Sequence, residues 1–119
     1  MQMEDYKVIV AGSREYTDYK TLAATLDKLL THKLPVTIVS GTARGTDRMG
    51  EAYAIERKLP LLRFPANWRY GKQAGRLRNA QMAEEAHALI AFWDGKSPGT
   101  AHMIKIAKDK GLAVRVIKI

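Results

Sequence analysis

The chain has 119 residues, apolar residues make up 46% of it, and lysine plus arginine outnumber aspartate plus glutamate by 20 to 12, a net charge of +8. That length and apolar share fit one folded domain spanning residues 1–119 and argue against wholesale disorder. The lack of cysteine excludes disulfides, thiolate catalysis and cysteine zinc sites, no apolar run reaches the ~20 residues of a membrane span, and so basic a balance attracts anions: nucleotides, nucleic acid or acidic surfaces.

The start, Met1-Gln2-Met3-Glu4-Asp5, lacks the basic-then-apolar pattern of a secretory signal. A cytoplasmic location is expected. Tyr6 to Ala11 is rich in β-branched residues and reads as the first strand. It ends at Gly12-Ser13-Arg14. Thr17 or Asp18 can cap a first helix, whose apolar stripe is Leu22, Leu26, Leu29 and Leu30. His32-Lys33-Leu34-Pro35 ends it, because proline disfavours helix at the preceding residue. Val36 to Val39 is a second, buried strand. It breaks into Ser40-Gly41-Thr42-Ala43-Arg44-Gly45-Thr46-Asp47, with Thr46 or Asp47 available as N-cap of a second helix running to about Arg57. Met49, Ala52 and Tyr53 share one face of that helix.

Pro60 to Phe64 reads as a third strand, closed by Pro65. The stretch Ala66 to Gly75 then has two aromatics, two cations and two glycines with no regular period, and a loop of that length in a small domain tends to be functional. A third helix is expected from about Arg76 to Ala86, with Leu77, Ala80, Ala83 and Ala86 inward and Arg76, Arg78 and Asn79 in its first turn. Ala88 to Trp93 is wholly apolar, as a strand buried on both faces must be. Asp94-Gly95-Lys96-Ser97-Pro98-Gly99-Thr100 leads to a fourth helix, about Thr100 to Lys110, with Met103, Ile104 and Ala107 inward and Gly111 as C′ residue. Leu112 to Ile117 is the last strand. Strands alternating with helices imply an α/β Rossmann-like domain: a five-stranded parallel sheet with helices on both faces.

In open parallel sheets ligands bind beyond the carboxyl ends of the strands, where strand order reverses. Three polar, glycine-bearing turns lie at such ends: Gly12-Ser13-Arg14, Ser40 to Asp47, and Asp94 to Thr100. Glycine lets the backbone approach a ligand, free N–H groups at a helix start attract anions, and arginine offers a planar fork to phosphate. The turns together point to a nucleotide pocket; the Ser40 to Asp47 turn alone equally reads as an ordinary strand-to-helix turn with a solvated arginine.

Five segments carry a family resemblance: Val10-Ala11-Gly12-Ser13-Arg14; Ser40-Gly41-Thr42-Ala43-Arg44-Gly45-Thr46-Asp47; Phe64-Pro65-Ala66-Asn67-Trp68; Gly75 with Arg78-Asn79-Ala80-Gln81-Met82-Ala83; and Phe92-Trp93-Asp94-Gly95 with Gly99-Thr100. Together they resemble the YspA-type, cpYpsA-related branch of the SLOG superfamily, which unites the Lonely Guy phosphoribohydrolases with the DNA-processing protein A family. The likeness spans about Tyr6 to Ile117. It implies a Rossmann-like sheet, a nucleotide-derived ligand, an origin in bacteria or phages, and a plausible homodimer. One departure stands out. The Lonely Guy motif Pro-Gly-Gly-x-Gly-Thr-x-x-Glu ends in a glutamate that serves glycosidic cleavage, and Met103 holds that position here. Methionine is no general acid or base. Arg78 matches the arginine of that family's Arg-Lys pair, but Asn79 replaces its partner.

The expected ligand contacts are therefore Gly12, Ser13, Arg14, Ser40, Gly41, Arg44, Gly45, Thr46, Asp47, Arg78, Asn79, Asp94, Gly95, Ser97, Gly99 and Thr100. The arginines alternatively serve as surface charge, and the hydroxyls as helix caps. Asp94 is a weak candidate for a catalytic carboxylate; Asp47 alternatively steadies its helix start. Glu51 and Glu56 read as solvated. His102 stands near the pocket, though a lone histidine is commonly structural, and the three histidines lack metal-ligand spacing, so no metal is expected. Trp68 and Tyr70 among Arg69 and Lys72 suit base stacking or single-stranded nucleic acid; alternatively Trp68 packs over the sheet edge and anchors its loop. Trp93 reads as core or dimer interface, and Phe92 or a helix face as an apolar contact for a dimer. The readings carried forward are a nucleotide-ligand binder acting as sensor, sequestering or processing protein, a hydrolase of nucleotide glycosidic or phosphate bonds, and a single-strand binder.

Overall fold

The computed structural model describes residues 5–33 and 35–119. The expected helix stop at Leu34 and the opening Met1-Gln2-Met3-Glu4 fall outside them. The elements are β1 (Tyr6–Gly12), α1 (Tyr19–Leu30), β2 (Val36–Ser40), α2 (Thr46–Glu56), β3 (Leu61–Arg63), a 3-10 segment (Trp68–Gln73), α3 (Ala74–Glu85), β4 (Ala88–Trp93), α4 (Pro98–Asp109) and β5 (Ala113–Lys118). All strands pair in parallel, in the order β3-β2-β1-β4-β5. The chain runs outward from β1 to β3, then crosses back to β4 on the other side of β1. Right-handed crossovers place the helices made before and after that jump on opposite faces.

The core records this division. Leu22, Leu26 and Leu30 of α1 and Tyr53 and Ala54 of α2 bury against Val8, Val10, Val36, Ile38, Ile90 and Phe92. Met82 and Ala83 of α3 and Met103, Ile104 and Ala107 of α4 cover Ile9, Ala11, Val39, Leu89 and Ala91 on the opposite face. Adjacent residues of β1 thus serve opposite layers, as strand alternation requires. Among the described residues no helix is long and apolar enough to cross a membrane.

Some helix faces differ from expectation. In α2 the buried face is Thr46, Asp47, Gly50, Tyr53 and Ala54, while Ala52 is exposed and Met49 half-buried. Gly50 sets this phase: a Cβ there would lie 2.9 Å from Val10 Cβ, so the helix rests directly on the sheet where it has no side chain. In α3 the buried residues are Ala74, Asn79, Met82 and Ala83, and Leu77 is exposed. The expected stripe at three-residue spacing drifts by ~60° per step and winds off one face. α3 also begins at Ala74, because the irregular stretch before it is itself wound into 3-10 turns. α4 begins at Pro98, a residue suited to the first helical position. Phe92 is fully buried and takes no part in an external contact.

Candidate functional site

A cavity of about 570 Å³ opens where β1 and β4 diverge, bounded by the β2–α2 turn, the 3-10 segment and the starts of α3 and α4. Its size lies within the ~300–1,000 Å³ of small-molecule sites. The floor is Ala11, Gly12, Met82 and Met103. Gly12 belongs there for steric reasons, since a Cβ would strike the Phe92 carbonyl and lie 2.8 Å from Thr46 Oγ1.

The β2–α2 turn is stitched to the rest of the molecule. Gly45, at φ 75°, is the N-cap of α2, in place of the expected Thr46 or Asp47. A Cβ on Gly45 would collide with the Arg14 backbone. Thr46 uses its hydroxyl differently, donating to the Ser13 carbonyl at 2.9 Å, and its backbone N–H reaches the same oxygen at 3.3 Å. Thr42 sits at φ 67°, an unusual conformation for a β-branched residue, held by its N–H on Ser40 Oγ at 3.0 Å. Ser40 Oγ in turn donates to Glu51 Oε2 at 2.7 Å, and Arg63 Nε donates to Glu51 Oε1 at 3.0 Å. Glu51 is therefore a half-buried anchor of this turn and not a solvated surface residue.

Asp47 lies at the centre. It is buried, lines the cavity and accepts the Ala43 N–H at 3.2 Å. Burial raises its pKa to about 6, against the opposing pull of the Ala43 bond and of Arg78 and Arg14. Arg78 donates to the Gly41 carbonyl and, through Nε, to Asn79 Oδ1 at 3.0 Å. Burial lowers its pKa while Asp47 counters the shift. A Cβ on Gly41 would lie 2.9 Å from both Arg78 Nη1 and Asp47 Oδ2. Glycine thus leaves room at this point of the turn for both side chains.

The β4–α4 turn is organised from one carboxylate. Asp94 Oδ1 accepts the N–H groups of Lys96 and Ser97, both at 2.8 Å, and Oδ2 accepts the Ser97 hydroxyl at 3.1 Å. These bonds, that from Ser97 N–H first, hold the Asp94 pKa down at about 2. Ser13 Oγ joins the first and third turns, taking the Asp94 N–H at 3.2 Å and meeting Ser97 Oγ at 3.2 Å. The indole N–H of half-buried Trp93 donates to the Ser97 carbonyl at 3.1 Å. The first turn of α4 then faces the cavity with Gly99 and Thr100, whose N–H groups have no acceptor within the helix.

Asn79 brackets α3 to α4. Its Nδ2 donates to the Gly99 carbonyl at 3.4 Å and lies 3.1 Å from His102 Nδ1. Burial, with Arg76 and Lys105 nearby, lowers the His102 pKa, and the neutral ring can accept that bond. Around the cavity stand five cations, Arg14, Arg44, Lys72, Arg76 and Arg78, against two carboxyls, Glu15 and Asp47. Arg44 is exposed and paired with Glu15.

Of the residues expected from sequence, Gly12, Arg14, Arg44, Asp47, Arg78, Asn79, Ser97, Gly99 and Thr100 share this cavity. Ser13, Ser40, Gly41, Gly45, Thr46, Asp94 and Gly95 form the turns behind and beside its wall. Glu15 and Arg76 line it without having been expected as contacts, and His102, expected near the pocket, and Lys72, expected in a base-stacking loop, line it as well. The irregular, cation-bearing stretch before α3 was the available signal for Lys72. Trp68 does not pack over the sheet edge; it is 68% exposed and faces the cavity. Among the described residues no three His, Asp or Glu side chains gather as a metal site.

The profile of the YspA, cpYpsA-related SLOG family matches residues 6–71. The fold is similar to that of DNA processing protein A (DprA) from Streptococcus pneumoniae, with a TM-score of 0.70 and 21% sequence identity. The likeness covers 94% of this chain and 50% of the DprA chain, so the chain spans about half of that neighbour's length. A search of curated proteins returned no match.

Proposed function

The chain belongs to the YspA, cpYpsA-related SLOG family, and on that premise we propose that it binds a nucleotide or nucleotide-derived ligand as a sensor, sequestering or processing protein. The observation that carries this reading is the convergence of Arg14, Arg76 and Arg78 with the open first turn of α4 on one cavity. A phosphate group satisfies both features at once: it accepts from Gly99 and Thr100 N–H groups and neutralises the surplus of cations. Binding is favoured over glycosidic hydrolysis by two features. Met103 forms part of the floor where a catalytic glutamate would be needed, and Asp94, engaged by Ser97 and Lys96, is absent from the cavity lining. Single-stranded nucleic acid is the second reading. Exposed Trp68 and Tyr70 on a cation-rich segment favour it, and its signature is affinity falling steeply with salt.

The test is calorimetric titration of ligand-free protein with AMP, ADP-ribose and ribose 5-phosphate. Saturable binding is expected, weakened roughly tenfold by Arg76→Ala through loss of one charge-assisted contact of ~1.5 kcal/mol. Arg76 is exposed, so the variant should melt like the parent. Absence of any heat or melting shift across the panel would retire this reading.

A further inference from the structure

Among the described residues the exposed large apolar side chains are Ile55, Trp68, Tyr70, Leu77, Val116 and Ile119, and of these Trp68 alone lines the cavity. An indole 68% exposed contributes little to the core, yet its segment is fixed with care. Asn67 Oδ1 accepts the Arg69 N–H at 3.1 Å, and the Asn67 carbonyl accepts the Tyr70 N–H at 3.1 Å. Gly71, at φ 62° and ψ −134°, then kinks the chain into α3. A Cβ on Gly71 would meet nothing within 4 Å, so backbone conformation, not space, calls for glycine there. The kink places Trp68 on the same cavity as Lys72 and Arg76.

We propose that Trp68 is a nucleobase platform, so that the ligand is a single nucleotide with its base stacked on this indole and its phosphate at the start of α4. This rests on the phosphate-binding reading above and adds the base to it. The chemistry of the lining selects the class. Trp68 and His102 are its two rings, and the His102 edge is engaged by Asn79. Trp68, 68% exposed where His102 is half-buried, is the larger and more accessible of the two rings. Stacking on it, with Lys72 and Arg76 alongside, suits an aromatic base and gives nothing to a bare sugar phosphate.

The experiment compares AMP, ribose 5-phosphate and a ten-residue single-stranded oligonucleotide on the parent, Trp68→Ala and Trp68→Phe. The parent should bind AMP more tightly than ribose 5-phosphate. Trp68→Ala should weaken AMP binding roughly ten- to hundredfold, the worth of one stacked base, and leave ribose 5-phosphate within about twofold. Trp68→Phe should keep most of the AMP affinity. With two tryptophans in the chain, AMP should quench an indole emission in the parent that the Phe variant lacks.

Equal losses for AMP and ribose 5-phosphate would overturn the platform and make Trp68 a support of its loop. Parent protein that binds the two equally would overturn it while leaving the phosphate site standing. An oligonucleotide bound more tightly than AMP would overturn the single-nucleotide ligand in favour of a nucleic-acid track. Parent protein that binds none of the three would remove the phosphate site and the platform together.

Discussion

The β2–α2 and β4–α4 turns look alike in sequence, each a strand end, two glycines, hydroxyl side chains and a helix start. They are built for different work. In the β2–α2 turn the loop's polar groups are answered from within: Asp47 takes the Ala43 N–H, Arg78 takes the Gly41 carbonyl, and Ser40 bridges Thr42 and Glu51. Asp47 thus uses its carboxylate on this turn and lines the cavity beside it. In the β4–α4 turn the carboxylate lies outside the cavity, where Asp94 ties down Lys96 and Ser97 and leaves Gly99 and Thr100 facing open space. The difference is where the acid sits. The Asp47 carboxylate lies inside the first turn of α2 and lines the cavity, whereas the Asp94 carboxylate lies before α4 and serves the loop that leads into it.

Glycine substitutions break this comparison most sharply. Gly45→Ala forces a Cβ into the Arg14 backbone at a positive φ, and strain and overpacking together should cost about 3 kcal/mol or more. Gly99 has nothing within 4 Å of an added Cβ and lies in the first turn of α4. Gly99→Ala should therefore hold or gain stability, by about 0.5 kcal/mol. It should nevertheless weaken AMP binding by crowding the open N–H groups. Denaturant melts and calorimetry on both variants separate scaffold from receptor; equal destabilisation would mean that the two turns are of one kind.

Asp47 gives the next effect. Its carboxyl titrates near 6 in the folded chain against a reference of 3.8. A raised acid pKa means that the folded state holds the extra proton between those values, so stability falls as pH rises from about 4 to about 6, by up to about 3 kcal/mol. Asp47→Asn should flatten that slope in pH-dependent melts and raise stability at neutral pH. The same proton makes the cavity more positive, so ADP-ribose should bind more tightly below pH 6 in the parent and not in the variant. ADP-ribose is the proper probe because its pyrophosphate lacks the terminal phosphate ionisation near ~6 of AMP.

Most of the architecture was legible because it rests on coarse patterns. The apolar run Ala88 to Trp93, the β-branched β1 and the glycine-ended turns require an alternating α/β order, and the parallel sheet follows. Helix faces were less legible: the phase of α2 depends on Gly50 lying against Val10, a contact across 40 residues of chain. At the site, the cations and glycines were visible, but their division of labour was not. Nothing local distinguishes Asp47, buried with a raised pKa, from Asp94, exposed with a lowered one. Glu51 looked solvated because its partners, Ser40 of β2 and Arg63 of β3, come from outside its own helix. Trp68 could anchor or stack, and only its exposure at the cavity mouth separates the two.

The smallest expected effect belongs to Asp94. Its lowered pKa, about 2 against a reference of 3.8, means that the ionised carboxylate is favoured by folding. That stabilisation is present above about pH 4 and is lost as pH falls towards 2. The group is exposed and its bonds are local, so Asp94→Ala should lower thermal stability only slightly at neutral pH, and the acid limb of the stability profile should shallow. Affinity is the more sensitive readout. Without Asp94 the Lys96 and Ser97 N–H groups lose their acceptor, the start of α4 loosens, and AMP binding should weaken by more than the melt suggests. Asp94→Asn, whose amide oxygen can still accept, should restore part of it. A melt as poor as that of Gly45→Ala would place Asp94 among the scaffold residues and remove the asymmetry between the two turns.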